Sequence, residues 1–191
     1  MKSKLWFIGA VGFYTLIWLK VWAFSHKAPS DEPISQPGAA RTVWPKAEWR
    51  AHANREFARS KILSRAPSDA KTFCPQGMNL NNWTELLGSM AKWESGFDPN
   101  QVYRESFGVN SIGLLQLSVS DKAYGCDFKT EADVKDPLKN ISCAVRIMEK
   151  WTLKDGVIST PANKGSARYW AVLRSPKLSK TKTTLKPFCG E

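Results

Sequence analysis

The chain has 191 residues, of which 42% are hydrophobic and 24% are charged. This length suits one domain of ordinary size with a short additional segment, and this apolar content excludes a disordered protein, a collagen-like repeat and a disulfide-rich fold without a core. The net charge of +11 indicates partners that are anionic or of low charge.

The segment 1–25 is predicted to be a signal peptide or an N-terminal membrane anchor. Two lysines precede residues 5–19, fifteen uncharged residues that suit the core of a signal peptide and are short for a membrane span. Residues 23–25, Ala-Phe-Ser, have the small side chains that a signal peptidase recognises. If Lys20 extends to the membrane surface, residues 5–24 could instead remain as an anchor. Both alternatives predict export to the periplasm, the cell envelope or the medium.

Residues 26–40 contain three prolines among polar side chains, which predicts a linker. Beyond it, residues 41–191 are predicted to form one mainly helical domain, because apolar residues recur there at helical spacing. The clearest helix has Asn81 or Asn82 as its cap and reaches Glu94. The other predicted helices begin at Trp44 and at Asp136-Pro137, and the last one covers Ser166–Arg174. No helix is predicted in the lysine-rich tail.

The four cysteines predict two disulfides in an oxidising compartment. We favour a bridge from Cys126 to Cys143, across a short loop. The second bridge would then join Cys74 to Cys189 and tie the tail to the body of the domain, and four buried thiols are the alternative. Two histidines and no Cys-x-x-Cys pair argue against a zinc site of standard spacing, so we expect no metal and no cofactor.

Glu94 stands at the end of the clearest predicted helix, next to Trp93. A carboxyl against an apolar wall loses hydration, which raises its pKa and lets it donate a proton near neutral pH. The alternative is a solvated glutamate at a helix end. The second chemical signal is residues 111–117, Ser-Ile-Gly-Leu-Leu-Gln-Leu, in which the glycine permits a close approach of the main chain. Gln116 in this segment either presents its amide to a ligand or is a buried structural glutamine.

Together, Glu-Ser-Gly-Phe-Asp-Pro-Asn at 94–100 and the motif at 111–117 resemble the lysozyme-like superfamily. Within it they are similar to soluble-type lytic transglycosylases and goose-type lysozymes, over roughly residues 74–174. The resemblance implies a mainly α, lysozyme-like α+β fold: a single helical catalytic domain with a small β or loop region beside an active-site cleft. It further implies that Glu94 is the catalytic acid. The expected substrate-binding residues are Tyr103, Glu105, Ser111, Gln116 and Tyr169.

The chain also departs from these families. Goose-type enzymes carry two further acids around the second motif, and a gapless alignment places Phe107 and Ser118 at those positions. Glu105 could replace the first acid only if its loop shifts. The late Ala-Tyr-Asn motif is replaced by Ala-Arg-Tyr-Trp at 167–170, which keeps the hydroxyl of Tyr169 and loses the asparagine. An inverting glycosidase needs a second carboxylate to activate water, so a single glutamate favours transglycosylation over hydrolysis.

The resemblance therefore implies a lytic transglycosylase that cleaves the β-1,4 bond between MurNAc and GlcNAc in peptidoglycan. Glu94 would protonate the glycosidic oxygen and then take the proton of the muramyl C6 hydroxyl, closing a 1,6-anhydro ring. Tyr169 or Tyr103 would stabilise the oxocarbenium-like transition state, and Gln116 would hold an N-acetyl or hydroxyl group. Glu105 could pair with the amine of a deacetylated sugar.

Two alternatives remain open from the sequence. One is a lysozyme-type hydrolase of the same bond, and the other is an envelope protein that binds peptidoglycan without cutting it. Binding of nucleic acid is not expected despite the basic charge, because no helix-turn-helix, zinc finger or RNP-like segment is present. We expect a monomer whose partner is the peptidoglycan glycan strand.

Overall fold

The structure, a computed structural model, describes residues 41–106 and 108–190. The predicted signal or anchor at 1–25 and the linker at 26–40 lie outside the described residues, as does Phe107. The helices are α1 (Ala47–Arg59), α2 (Ala70–Phe73), α3 (Leu80–Ser95), α4 (Glu131–Lys135), α5 (Pro137–Asp155) and α6 (Leu178–Leu185). Two short antiparallel strands, β1 (Val102–Arg104) and β2 (Asn110–Ile112), form a hairpin. This architecture confirms the predicted mainly α fold with a small β region.

The central helix α3 packs against α1 and α6, and α1 also packs against α5. Its predicted apolar stripe is fully buried at Trp83, Leu86, Leu87 and Met90. The ring of Trp83 lies 5.9 Å from that of Phe57 on α1. The helix therefore has its middle in the core and only its C-terminal turn, with Glu94, near the surface.

The predicted N-cap of α3 is wrong by two or three residues. The N-cap is Asn79, and not Asn81 or Asn82. The Asn79 side chain accepts a hydrogen bond from the Asn82 main-chain nitrogen at 2.8 Å, and the Asn82 side chain accepts one from the Asn79 nitrogen at 3.1 Å. This reciprocal capping box satisfies two main-chain donors of the first turn. The Asn82 amide also donates to the Phe188 carbonyl at 2.8 Å, which attaches the C-terminal segment to α3.

The predicted helix from Trp44 begins later, at Ala47. Trp44 instead lies buried in the extended segment that leads to α1, and its indole nitrogen donates to the Thr84 carbonyl at 3.0 Å. The ring lies directly on Gly88 of α3, where a Cβ atom would come within 2.8 Å of the indole nitrogen. The sequence pattern did not reveal this tertiary contact, which holds Trp44 outside the helix.

Helix α5 begins at Pro137, as predicted, with the Asp136 side chain accepting from the main-chain nitrogens of the first turn. Asn140, one turn into the helix, is fully buried. Its amide nitrogen donates to the carbonyls of Ile112 and Val134, and its amide oxygen accepts from the Leu115 nitrogen at 3.0 Å. Asn140 therefore attaches the motif at 111–117 to α5.

The predicted helix over Ser166–Arg174 is wrong. The segment forms two short 3-10 turns, Ser166–Arg168 and Ala171–Leu173, and Trp170 between them is extended. The indole of Trp170 donates to the Leu115 carbonyl at 2.9 Å. This segment buries residues on several sides, so it has no single apolar face of the kind that stabilises a surface helix. The last helix is α6, within the tail where none was predicted.

The two disulfides join Cys74 to Cys189 and Cys126 to Cys143, which are the pairings favoured from the sequence. The first bridge spans 115 residues and holds the end of the tail against the segment before α3. Long closed loops of this kind typically contribute about 2–4 kcal/mol to stability. Within the described residues, no helix is long and apolar enough to cross a membrane.

Candidate active site

A cleft of about 490 Å³ lies between the C-terminal turn of α3, the β1–β2 hairpin and the segment after α5. Its lining brings together most of the site residues predicted from the sequence, although they come from distant parts of the chain. The lining residues are Glu94, Glu105, Val109, Ser111, Gln116, Ser118, Ser120, Asp121, Arg168, Tyr169, Trp170, Ala171 and Arg174.

Glu94 is half-buried at one wall of this cleft. Burial raises its pKa from the ordinary 4.5 to about 7, against the opposing effects of a hydrogen bond from the Val172 main chain and the positive charges of Lys177 and Arg174. Its oxygen Oε1 is buried and has no hydrogen-bond partner among the described residues. Glu94 therefore combines a raised proton affinity with an oxygen that no hydrogen bond from the described residues occupies.

The prediction that Trp93 forms an apolar wall against the Glu94 carboxyl is wrong. Trp93 is 41% exposed, and its indole nitrogen donates to Thr184 on α6 at 3.0 Å. Consecutive residues of a helix point about 100° apart, so Trp93 and Glu94 face different surroundings. The apolar residues that line the cleft are Val109, Trp170 and Ala171.

The motif at 111–117 forms a tight turn at the cleft, which its residues Ser111 and Gln116 line. Gly113 has a φ of +77°, and a Cβ atom there would lie 2.8 Å from both the Asn140 amide nitrogen and the Val134 carbonyl oxygen. This explains why a glycine is needed. Gln116, also in the left-handed region at +50°, donates from its amide nitrogen to the Gly113 carbonyl at 2.9 Å. Gln116 is therefore partly structural, and its amide oxygen is the atom left to face a ligand.

The β1–β2 hairpin contributes Glu105 and Ser111 to the opposite wall. The Ser111 hydroxyl donates to Glu105 Oε1 at 2.7 Å. The negative charge of Glu105 contributes to the raised pKa of Glu94, so the two carboxyls interact across the cleft. Tyr103 lies on β1 opposite Ser111, is 60% exposed and is not among the described residues that line the cleft.

Tyr169 lines the cleft, and its hydroxyl donates to the carboxylate of Asp121. Burial is the largest cause that raises the pKa of Tyr169 well above its ordinary value, and the Asp121 charge adds to it. The ring packs edge-on against Tyr124 with centroids 6.1 Å apart and lies 4.8 Å from the ring of Trp170. Tyr169 is therefore a neutral phenol held in one position.

Asp121, Arg168 and Arg174 also line the cleft, and none of the three was predicted from the sequence. A gapless alignment places Ser118 at the position of the family acid, but the carboxylate three residues later enters the same cleft. The signal was present, because Ser118 and Asp121 have the spacing of a capping box. The two arginines escaped notice because the segment that carries them was predicted to be a regular helix.

The positive charges of the cleft lie on the segment after α5. Arg168 forms an ion pair with Asp155, with its Nε 2.6 Å from a carboxylate oxygen. Arg174 donates from its Nε and Nη2 to the carbonyls of Ala167 and Arg168. The cleft thus has one wall with a carboxylate, Glu105, and another with two guanidinium groups.

Among the described residues, no group of three His, Cys, Asp or Glu side chains is placed to hold a metal ion.

The sequence profile described as "Transglycosylase SLT domain" matches residues 75–160. Among solved structures, DslA in its wild-type form 2 is 35% identical over 72% of this chain and 86% of that chain, with a TM-score of 0.66. Two structures of DslA with a glutamate changed to glutamine have the same identity and coverage, with TM-scores of 0.66 and 0.64. No curated protein matches the chain.

The matched profile includes both Glu94 and the motif at 111–117, the two features on which the resemblance was based. The two disulfides fit an exported protein. The chain belongs to the SLT family of the lysozyme-like superfamily and is a lytic transglycosylase that acts on peptidoglycan.

Proposed function

We propose that the protein cleaves the β-1,4 bond between MurNAc and GlcNAc with Glu94 as its general acid/base. The observation that supports this role is the Glu94 carboxyl in the cleft, whose pKa burial raises to about 7 and whose Oε1 has no partner among the described residues. A carboxyl with this pKa holds its proton at mildly acidic and neutral pH. It can therefore give that proton to a substrate oxygen.

In the first step Glu94 protonates the glycosidic oxygen, and the bond between that oxygen and C1 of MurNAc breaks. In the second step the Glu94 carboxylate takes the proton of the C6 hydroxyl, and the C6 oxygen bonds to C1. The product is a 1,6-anhydromuramyl end, and no water is consumed. Glu94 returns to its protonated form, so one carboxyl performs both proton transfers.

Three other residues of the cleft support this reaction. Tyr169 stabilises the positive charge that develops at C1 in the transition state. Gln116 accepts a hydrogen bond from the substrate through its amide oxygen, because its nitrogen already donates to the carbonyls of Gly113 and Gln101. Ser111 binds the substrate from the hairpin wall, next to Glu105. Tyr103 is exposed beyond this wall, so Tyr169 is the better candidate for the role that the sequence left open between them.

The products of digestion test this proposal. Purified protein with its disulfides intact is incubated with peptidoglycan sacculi, and the released fragments are analysed by mass spectrometry. We expect 1,6-anhydromuramyl ends. Sacculi that retain the protein but release no fragments would contradict the proposal and favour a binding role.

Hydrolysis is the second candidate, since Glu105 and Asp121 add two carboxylates to the cleft. An inverting hydrolase uses such a carboxylate to activate water on the face opposite the acid. Reducing muramyl ends in the same digest would identify this reaction. They would also assign the water-activating role to one of these two acids.

Glu105→Gln tests the proposed preference for deacetylated sugars. If Glu105 pairs with a sugar amine, the variant is expected to lose about tenfold in kcat/KM on deacetylated sacculi, the typical contribution of a charge-assisted hydrogen bond. On acetylated sacculi, kcat/KM should change little. Because the Glu105 charge raises the pKa of Glu94, the alkaline limb of the pH profile should also move to lower pH. Both properties are measured from initial rates on the two substrates.

Glu131→Gln is the matched control for this substitution. Glu131 bonds to Asn110 of the same hairpin at 2.7 Å but does not line the cleft. Its removal should change neither rate. Equal rates of the unaltered protein on the two kinds of sacculi would rule out the preference.

We also propose that the protein works as a monomer in the periplasm or at the cell surface, with residues 1–25 as a cleaved signal or a retained anchor. The apolar stretch at 5–19 and the two disulfides support this location. Fractionation followed by N-terminal sequencing distinguishes the cleaved from the anchored form.

A further inference from the structure

Asp121 is a buried carboxylate inside the cleft, with only 6% of its surface exposed. It lies in the 3-10 turn Val119–Tyr124, where its Oδ2 accepts a hydrogen bond from the Ser118 main-chain nitrogen at 2.8 Å. The same oxygen accepts the hydroxyl proton of Tyr169, 48 residues later in the chain. Asp121 thus joins the turn after the motif at 111–117 to the opposite wall of the cleft.

Capping the turn does not by itself require a buried carboxylate at this position. The chain has a second Asp at the same place of a capping box, Asp133, which bonds to the main-chain nitrogen of Thr130 at 3.0 Å. That carboxylate lies outside the cleft, forms an ion pair with Lys139, and its pKa is held below the usual range by that lysine. Asp121 has no cation partner among the described salt bridges, and burial raises its pKa. An asparagine could accept the same hydrogen bond from the Ser118 nitrogen at a lower cost in desolvation.

The hydrogen bond to Asp121 determines how Tyr169 meets a substrate. A phenol has one proton, and in Tyr169 this proton points to Asp121. The oxygen can therefore present only its lone pairs to the cleft, so that it is the negative end of a fixed dipole. The rings of Tyr124 and Trp170 hold the side chain in place. A preoriented dipole of this kind stabilises developing positive charge without reorganising during the reaction.

We propose that Asp121 is a positioning residue for the transglycosylase reaction, acting through Tyr169. Because the hydroxyl group donates its hydrogen bond to Asp121, the lone pairs of the phenolic oxygen face the charge that develops at C1 of the cleaved sugar. The inference rests on the proposed function, in which Glu94 performs the proton transfers and Tyr169 stabilises the transition state.

Asp121→Asn tests the inference. An asparagine keeps a carbonyl oxygen for the Ser118 nitrogen, so the turn retains its cap, but it removes the charge and can donate to Tyr169 instead of accepting. We expect kcat to fall about 10–100-fold while KM stays within about twofold, because the lost interaction belongs to the transition state. Tyr169→Phe is expected to give a similar loss. The double variant should lose no more than either single variant, since both remove the same interaction.

Asp133→Asn is the matched control, because it removes a carboxylate from the same position of a capping box away from the cleft. It should change thermal stability and leave kcat unchanged. Losses of Asp121→Asn and Tyr169→Phe that multiply in the double variant would overturn the inference, as would a normal kcat for Asp121→Asn. If Asp121→Asn proves too unstable to assay, a normal kcat for Tyr169→Phe would overturn it equally.

The products separate this inference from the proposed function. If the unaltered protein releases no 1,6-anhydromuramyl ends, the proposed function fails before Asp121 is considered. The unaltered protein could release both anhydro ends and reducing ends. If Asp121→Asn then abolishes only the reducing ends, Asp121 activates water, and the positioning role is wrong. The positioning role is supported if Asp121→Asn forms anhydro ends more slowly and its kcat/KM still falls at the same pH, the pH at which Glu94 ionises.

Discussion

Replacing Glu94 with glutamine is expected to lower kcat by about 10²–10⁴-fold, the usual contribution of a positioned general acid/base. Glutamine has the same shape as a protonated glutamate and can occupy the same space beside the Val172 main chain. It cannot release a proton to the glycosidic oxygen or accept one from the C6 hydroxyl. The rate of release of 1,6-anhydromuramyl ends from sacculi, measured by mass spectrometry, provides the test.

Glu48→Gln is a suitable control for the loss of one negative charge. Glu48 is exposed in the first turn of α1 and does not line the cleft. It should retain full activity. A Glu94→Gln variant that keeps more than about a tenth of the normal kcat would contradict the acid/base role, and another carboxyl of the cleft would have to supply the proton.

The second expected result is that Glu94→Gln makes the protein more stable at alkaline pH. The pKa of Glu94 is about 7 in the folded protein and 4.5 for the free side chain, so the folded state binds the proton more tightly. Ionising this carboxyl therefore lowers the free energy of unfolding progressively between about pH 4.5 and 7. Above pH 7 the cost is on the order of 2–3 kcal/mol, allowing for the partial exposure of the side chain.

The difference in unfolding free energy between the variant and the unaltered protein isolates this effect. It should be close to its minimum at pH 4, rise through the interval from 4.5 to 7, and stay constant at higher pH. Urea unfolding at pH 4, 6 and 8 measures it, with Glu48→Gln as the exposed control. A difference that is the same at all three pH values would show that burial does not raise the pKa of Glu94.

The same titration determines the pH dependence of catalysis. Because the first step requires the protonated carboxyl, kcat/KM should fall as pH rises through about 7. With an acid of ordinary pKa, this fall in kcat/KM would occur below pH 5. The position of the limb therefore links the stability measurement to the mechanism.

The local chemistry of the sequence was enough to identify Glu94 and the motif at 111–117. Helix α5 was also predictable, because Asp136 and Pro137 provide a cap and a first turn from adjacent residues. The same reasoning failed at Trp44, where a helix was predicted. Its indole bonds to the Thr84 carbonyl across the core, and such a contact leaves no mark on the local pattern.

Asp121 shows most clearly what local reasoning omits. A gapless alignment places the family acid at position 118, where this chain has a serine. The 3-10 turn that follows brings the carboxylate of Asp121 into the cleft instead. The segment at 166–174 failed for a related reason. Its residues are buried on several sides by partners such as the Leu115 carbonyl, so the spacing that suggested one apolar helix face was misleading.

By itself, the sequence determined the family of this protein and its mainly helical class and predicted Glu94 as its acid, since these depend on short motifs and on helical periodicity. Tertiary structure decided which groups surround Glu94. The pKa of Glu94 depends on groups far apart in the chain: its burial in the cleft, the Val172 main chain, and the charges of Lys177, Glu105 and Arg174. A proton affinity depends on the distances between such groups, and only the folded chain sets those distances.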